Sequence, residues 1–223
     1  MSMKIKNLII FGAGNIGRET ACLVNRINKL NPIWNLQGFV DDTPGIIGKA
    51  IAEYTVLGSS SYFESYNDEV YVICALGDPK AKESVVRRLS RHSNIRWSTL
   101  IDPSAIFMGT SKIGEGCLVF PNTTISTDVI IGSHVLVYYN TSVAHDVVIK
   151  DYSSINHGVN ISGNVEIGCC SRLGVGSKTI EKVRIGDFVM VGAGAVVIKD
   201  IPDNETVVGV PAKPITKAAE GEK

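Results

Sequence analysis

From Ile101 onward the chain returns to a bulky apolar residue at every sixth position without losing phase. The series runs Ile101, Phe107, Ile113, Val119, Ile125, Ile131, Val137, Val143, Ile149, Ile155, Ile161, Ile167, Leu173, Thr179, Ile185, Val191 and Val197, and only Phe107 and Thr179 are not Ile, Val or Leu. A period of six fits neither the 3.6 of a helix nor the 2 of a strand. A register held over about a hundred residues marks a stacked solenoid, in which each repeat buries its apolar residues only against its neighbours. In the hexad Ile131-Gly132-Ser133-His134-Val135-Leu136 the first residue points into the core. The second is small in most hexads, as expected of a tight corner, and the fifth is often small or branched, as in Val135, Val147 and Ser171. Three such sides close a triangle of about 18 residues, which predicts five to six turns of parallel β-helix with no inserted loop.

These hexads resemble the left-handed β-helix of the hexapeptide-repeat acyltransferases. The handedness is implied by the resemblance, because the general preference for right-handed crossovers argues the other way. A β-helix can also be a spacer or an ice-binding surface. Neither role needs the glycine-rich N-terminal segment or the histidine–aspartate pair described below.

About 100 residues precede the repeat, so the chain is read as a Rossmann-like half domain over 1–100, an all-β solenoid over 101–215 and a tail over 216–223. A strand over Asn7 to Phe11 leads into Gly12-Ala13-Gly14-Asn15-Ile16-Gly17, and the helix after it places Ile16, Leu23, Val24, Ile27 and Leu30 on one stripe. Glycines allow the tight turn, and the helix N-terminus offers free N–H groups to a phosphate. A second strand, Leu36 to Val40, ends in Asp41-Asp42, carboxylates placed to accept from a ribose or base. A third, Val70 to Ala75, ends at Gly77-Asp78, with Asp78 as N-cap and Pro79 as first residue of a helix to Arg91. Gly12, Gly14, Asn15, Gly17, Asp41, Asp42, Gly77 and Asp78 therefore form a candidate nucleotide-binding set. NAD spans two such halves across the switch point, whereas this segment supplies one, so a nucleotide-linked sugar fits it better. A glycine loop that only packs is the plainer alternative.

Composition removes other classes. Lys plus Arg balance Asp plus Glu at 22 each, so neither a nucleic acid nor an anionic membrane is an expected partner. Cys22, Cys74, Cys117, Cys169 and Cys170 lack CxxC spacing and mostly sit in apolar runs, which suggests thiols in a reducing, cytoplasmic compartment with no disulfide framework and no metal. The apolar Leu8-Ile9-Ile10-Phe11 is too short for a signal peptide, and no run approaches the length of a membrane span.

The order of parts is more specific than any one of them. A glycine-loop half-Rossmann, then Ile101-Asp102-Pro103-Ser104-Ala105, then unbroken hexads, then Val208-Gly209-Val210-Pro211-Ala212-Lys213-Pro214-Ile215 resembles the family of sialic-acid O-acetyltransferases and nucleotide-sugar N-acetyltransferases over about Lys6 to Ile215. The resemblance implies a homotrimer that moves acetyl from acetyl-CoA to an amine or hydroxyl of a sugar, commonly a nucleotide-linked 4-amino sugar. It also implies roles by position. His145, in Ala144-His145-Asp146-Val147-Val148-Ile149, stands where the family has its general base, with Asp146 to orient it. Gly163, Gly174, Val175, Gly192 and Ala193 fall where the backbone lines the CoA cleft, and Lys213 where it can meet a CoA phosphate. The family often has a second histidine nine residues after the first, touching the acetyl carbonyl. Here that position is Ser154, so the donor is expected to be Ser154, Asn156 or His157. His134 is the weakest candidate of the four histidines' solenoid members. A non-catalytic scaffold that binds sugar nucleotides, or an acetyltransferase for a free small molecule such as serine, remain the competing readings.

Overall fold

In a computed structural model of the chain, which describes residues 5–215, the repeat closes into a triangular parallel β-helix. The expected tail over 216–223 lies outside the described residues. Two-residue strands fall on hexad positions six and one. Each pairs in parallel one coil on, as Leu118 does with Leu136 and Val119 with Val137, a step of 18 residues. Face one runs from Leu100–Ile101 to Thr206–Val208, face two from Ile106–Phe107 to Val196–Val197, and face three from Lys112–Ile113 to Arg184–Ile185. The outcome is about six coils of uninterrupted hydrogen-bond ladder, closed at the C-terminal end by Lys213–Pro214 running antiparallel to Thr206–Val208.

Both the first and fifth hexad positions are core. Val119, Ile125, Val137, Ile149, Ile155 and Ile167 are fully buried, and so are Val129, Val147 and Val159. Each such side chain contributes about 1.5–3 kcal/mol of hydrophobic burial. Thr179, the polar interruption of the series, is accommodated because its Oγ1 accepts from the Ser162 amide at 3.0 Å. The corners turn at the fourth position instead of the second. Asp128, His134, Asn140, Asp146, Tyr152, Asn164 and Cys170 all adopt left-handed φ between 53° and 62°. Small second residues have a different cause from the one expected: a Cβ on Gly114 would stand 2.7 Å from the Gly132 carbonyl carbon, and one on Gly168 2.4 Å from that of Gly186. Coil-to-coil spacing, and not corner geometry, selects them.

The N-terminal half comprises β1 (Lys6–Phe11), α1 (Asn15–Leu30), β2 (Trp34–Val40), β3 (Ala50–Ile51), β4 (Tyr54–Gly58), β5 (Val70–Cys74), α2 (Pro79–Leu89) and β6 (Ile95–Trp97). The sheet order is β3-β4-β2-β1-β5-β6, parallel except for the β3–β4 hairpin. This half covers face one of the solenoid. Leu100, Leu118, Leu136 and Phe120 join Leu8, Ile10, Leu23 and Val24 in a single buried cluster. At its margin Arg26 donates to both oxygens of Asp102, at 2.6 and 3.0 Å, and the Asp102 side chain is fully buried. Burial would raise the Asp102 pKa, but the bonds from Arg26 and Ser104 outweigh it and hold the carboxyl below its ordinary range.

No described helix is long and apolar enough to cross a membrane. Truncating a mid-solenoid core residue, Ile155→Ala, is expected to cost about 2–5 kcal/mol. The same change at exposed Ile47 should stay within about 0.5 kcal/mol. Thermal or urea unfolding of the two variants checks this difference.

Candidate active site

Residues 18 apart share an edge of the triangle, and this arithmetic decides which side chains can meet in one chain. His145 projects from the edge between faces two and three, with Thr127 one coil before and Gly163 one coil after. Its Nδ1 lies 2.8 Å from Asp146 Oδ2, and the two side chains are 57% and 55% exposed. Asp146 takes the left-handed corner at φ 57°, a conformation Asp tolerates better than most residues, and its amide donates to the Thr127 carbonyl at 3.1 Å. With Nδ1–H given to the carboxylate, Nε2 is left as an acceptor facing outward. Gly163 lies beneath the ring. A Cβ there would come within 2.7 Å of both Cε1 and Nε2, so the missing side chain is what lets the imidazole lie over the next coil.

The other residues expected at the CoA cleft do not join His145 in this chain. Gly174, Val175, Gly192 and Ala193 lie on the edge between faces one and two, the edge of His157. Gly174 is demanded by packing, since a Cβ would meet the Ala193 amide nitrogen at 2.6 Å, and Gly192 by Val208 at 2.7 Å. Val175 and Ala193 are exposed on that edge, and Lys213 is exposed in the terminal strand. Ser154 requires a correction. Nine residues is half of an 18-residue coil, so Ser154 lands on face one, fully buried, where its hydroxyl donates to the Gly77 carbonyl at 3.2 Å. Asn156 is also internal, donating to the Leu173 carbonyl at 2.8 Å.

The glycine loop closes as its spacing requires. Gly12 has φ +103°, and a Cβ on Gly17 would sit 2.0 Å from the Gly12 carbonyl oxygen, so helix and turn touch there. Gly14 differs: a Cβ would meet nothing within 4 Å, which leaves the surface beside the α1 N-terminus open to a close-lying ligand. The paired carboxylates are less available than expected. Asp41 accepts from the Ala13 amide at 2.7 Å and the Thr43 amide at 2.8 Å. Asp42 accepts from the Ser60 amide at 2.7 Å and from Arg88 at 2.5 Å. Both carboxylates shape the loops before they can shape a ligand site. Gly77 packs against Ile16, and Asp78 caps α2 through the Ala81 amide at 2.8 Å.

An open cleft of about 510 Å³ beside the glycine loop is lined by Asn15, Arg18, Glu19, Cys22, Ala52 and Tyr139. Its floor is aromatic. Tyr138 donates to Glu19 at 2.8 Å and stacks on His157 with ring centroids 4.1 Å apart. His157 also stacks on Tyr139, which lines this cleft, with centroids 5.4 Å apart, and it lies on a different edge from His145. His134 sits at a buried corner, stacked on Tyr152 at 5.3 Å and edge-on to Trp97 at 4.9 Å, with no hydrogen-bond partner for Nδ1. Burial, helped by the Lys82 charge, pulls its pKa down to about 4, so it packs as a neutral ring. No group of three or more His, Cys, Asp or Glu suited to a metal ion occurs among the described residues.

Residues 7–89 match the PglD N-terminal domain family. The chain is 30% identical over 121 residues to GDP-perosamine N-acetyltransferase of Escherichia coli O157:H7, a match covering 53% of each protein, so it spans about half the length of that curated relative. Solved structures align over much more. The acetyltransferase domain of PglB from Neisseria gonorrhoeae FA1090 in complex with acetyl coenzyme A is 27% identical with TM-score 0.85, covering 95% of this chain and 100% of that one. A histidine-to-alanine mutant of GDP-perosamine N-acetyltransferase from Caulobacter crescentus, in complex with CoA and GDP-perosamine, is 25% identical with TM-score 0.84, covering 97% and 100%.

Several residues escaped the sequence reading. Tyr139, Glu19 and Arg18 line the cleft and Tyr138 packs against Tyr139, and their only linear signal is the aromatic pair at 138–139 within the unbroken hexads. The buried His134 carries a pH signature. Its folded pKa lies below the ordinary 6.5, so the unfolded chain takes the proton first. Stability is full above about pH 6.5 and declines as pH falls toward 4, by an amount on the order of 1–3 kcal/mol. In His134→Phe, a residue that Phe188 shows can hold this corner at φ 57°, that acid loss should shrink. Melting temperatures from pH 7 to pH 4.5 test this.

Proposed function

We propose, from the premise that this chain is a member of the PglD-like sugar N-acetyltransferase family, that it transfers acetyl from acetyl-CoA to the amine of a nucleotide-linked 4-amino sugar. The observation that carries the reading is the His145–Asp146 pair, an oriented imidazole with an outward acceptor nitrogen on an open edge of the solenoid. An ammonium cannot attack a thioester until it loses a proton. His145 Nε2 takes that proton as the nitrogen attacks the acetyl carbonyl, and Asp146 stabilises the resulting imidazolium. The tetrahedral oxyanion is met by a backbone N–H of a solenoid turn, since Ser154 is engaged elsewhere. Collapse expels the CoA thiolate, which is protonated, and leaves the acetamido sugar.

The nucleotide is assigned to the N-terminal half. Gly12, Gly14, Asn15 and Gly17 present the helix N-terminus to the diphosphate, with Gly77 and Asp78 alongside and the aromatic-floored cleft next to them. Asp41 and Asp42 hold these loops in shape. Acetyl-CoA is assigned to a groove between copies. The edge bearing Gly174, Val175, Gly192 and Ala193 cannot reach His145 of its own chain, but threefold association lays one chain's edge against the His145 edge of the next. Exposed outward residues Ile106 and Ile130 support such an interface, and Lys213 is free to meet a CoA phosphate. A groove of this kind also shields the thioester from water, which the more than half-exposed imidazole of one chain does not do alone. The reading places the trimer in the cytoplasm, where acetyl-CoA is available and the five free thiols stay reduced.

His145→Ala is expected to lower kcat by a factor of about 100 or more while acetyl-CoA affinity changes little. Unchanged turnover would remove the imidazole from the mechanism. Gly14→Val, which meets open space, should keep the melting temperature but weaken sugar-nucleotide binding about tenfold, read by calorimetry. Release of CoA thiol with amino-sugar nucleotides, against none with serine, separates this reading from a scaffold and from a free-amino-acid acetyltransferase.

A further inference from the structure

Lys82 is the largest charged side chain in the interior. It occupies a place on the inner stripe of α2, with Val85, Val86 and Leu89, where sequence periodicity calls for an aliphatic residue. It is 1% exposed. Its ammonium reaches across to the solenoid and donates to the His134 carbonyl at 3.1 Å and to Ser154 Oγ at 3.4 Å. Ser154 in turn donates to the Gly77 carbonyl at 3.2 Å. Gly77 is pressed against Ile16 of the glycine loop, and Gly12 of that loop lies against Ala75 and Leu76. A chain of contacts therefore runs from coil, to lysine and serine, to the loop after β5, to the glycine loop. Burial lowers the Lys82 pKa to about 8, against the opposing influence of Cys74, Cys117, Cys170 and Asp78. A methionine of similar volume would avoid that desolvation, so packing alone gives no reason for an ammonium here.

We propose that Lys82 and Ser154 are positioning residues that tie the loop over 75–78 to face one of the solenoid and thereby set the place of the acceptor sugar relative to the acetyl group. The inference rests on the assignment of the nucleotide to the N-terminal half. Its physical basis is that a reacting nitrogen must sit about 3–3.5 Å from the carbonyl, and that a misplacement of about 1 Å costs on the order of a hundredfold in rate. The sheet that carries the glycine loop and the solenoid that carries the imidazole are separate elements. Hydrophobic contact holds them together, while the directional bonds of Lys82 to the solenoid and of Ser154 to the Gly77 carbonyl fix the loop's height.

The test compares Lys82→Met, Ser154→Ala and the double variant with the wild-type full chain, using an amino-sugar nucleotide and acetyl-CoA. Lys82→Met should lower kcat/KM for the sugar nucleotide about tenfold to a hundredfold, with the KM for acetyl-CoA within about twofold and the melting temperature unchanged or higher. Ser154→Ala should act in the same direction more weakly, and the double variant should be no worse than Lys82→Met, because both act through one network. Amide hydrogen exchange over residues 75–81 should quicken in each variant, a readout that needs no substrate. A lowered melting temperature with acceptor and acetyl-CoA parameters falling together would reduce Lys82 to a structural role and overturn the proposal. Unchanged exchange over 75–81 would overturn it as well. If Lys82→Met does not fold, Ser154→Ala carries the same comparison. A wild-type protein that binds no sugar nucleotide would instead defeat the underlying assignment.

Discussion

The parallel ladder between coils is the constraint on which the rest of the molecule depends. The solenoid strands are only two or three residues long, so no strand is stable by itself, and within the stack each pairs with the coil before and the coil after. Register then allows no slack, because a shift of one residue would turn the buried first-position aliphatics outward all along the stack. The 18-residue step follows from this, and it converts a residue's number directly into a place on the triangle. His145 and Gly163 share an edge for that reason, and Gly174 and Gly192 share a different one.

A ladder of this kind leaves faces and ends that need cover. Face one is apolar outward at Leu100, Leu118 and Leu136, and the N-terminal sheet and its helices bury it in a common cluster with Leu8, Leu23 and Val24. The desolvated Asp102 is tolerated there because Arg26 meets it with two bonds and Ser104 with two more. The same seam holds two buried groups shifted toward neutrality, Lys82 and His134, as expected where polar atoms are closed off from water. Joining the halves in this way sets the N-terminal sheet and helices against face one, while the His145 edge, between faces two and three, lies half a coil away.

Most of the architecture was legible in the linear chain because hydrophobic periodicity is a direct image of burial. The solenoid, its coil size, the strand–glycine loop–helix unit and the Asp78 cap all follow from spacing. What escaped was whatever depends on the third dimension across elements. A serine nine residues from His145 looks near in sequence but is half a coil away, and Ser154 is accordingly buried on face one. Asp41 and Asp42 have the right chemistry for a ribose, yet backbone amides and Arg88 already engage them. Small second-position residues were assigned to corners, whereas the approach of the next coil demands them at Gly114 and Gly168. Lys82 did carry a signal, a cation on an otherwise aliphatic helical stripe, but only its partners on the solenoid give that signal meaning.

The uninterrupted ladder has a further consequence for how such a molecule can change over generations. Duplicating one whole coil after Gly163 would keep every residue on its own edge and lengthen the prism by about 4.8 Å, the spacing between neighbouring strands. The terminal Lys213 would then stand one rung farther from the imidazole, while the geometry around the imidazole stayed as it was. Chain growth in steps of 18 thus keeps every edge intact, and growth by any other step rotates the downstream residues off their edge.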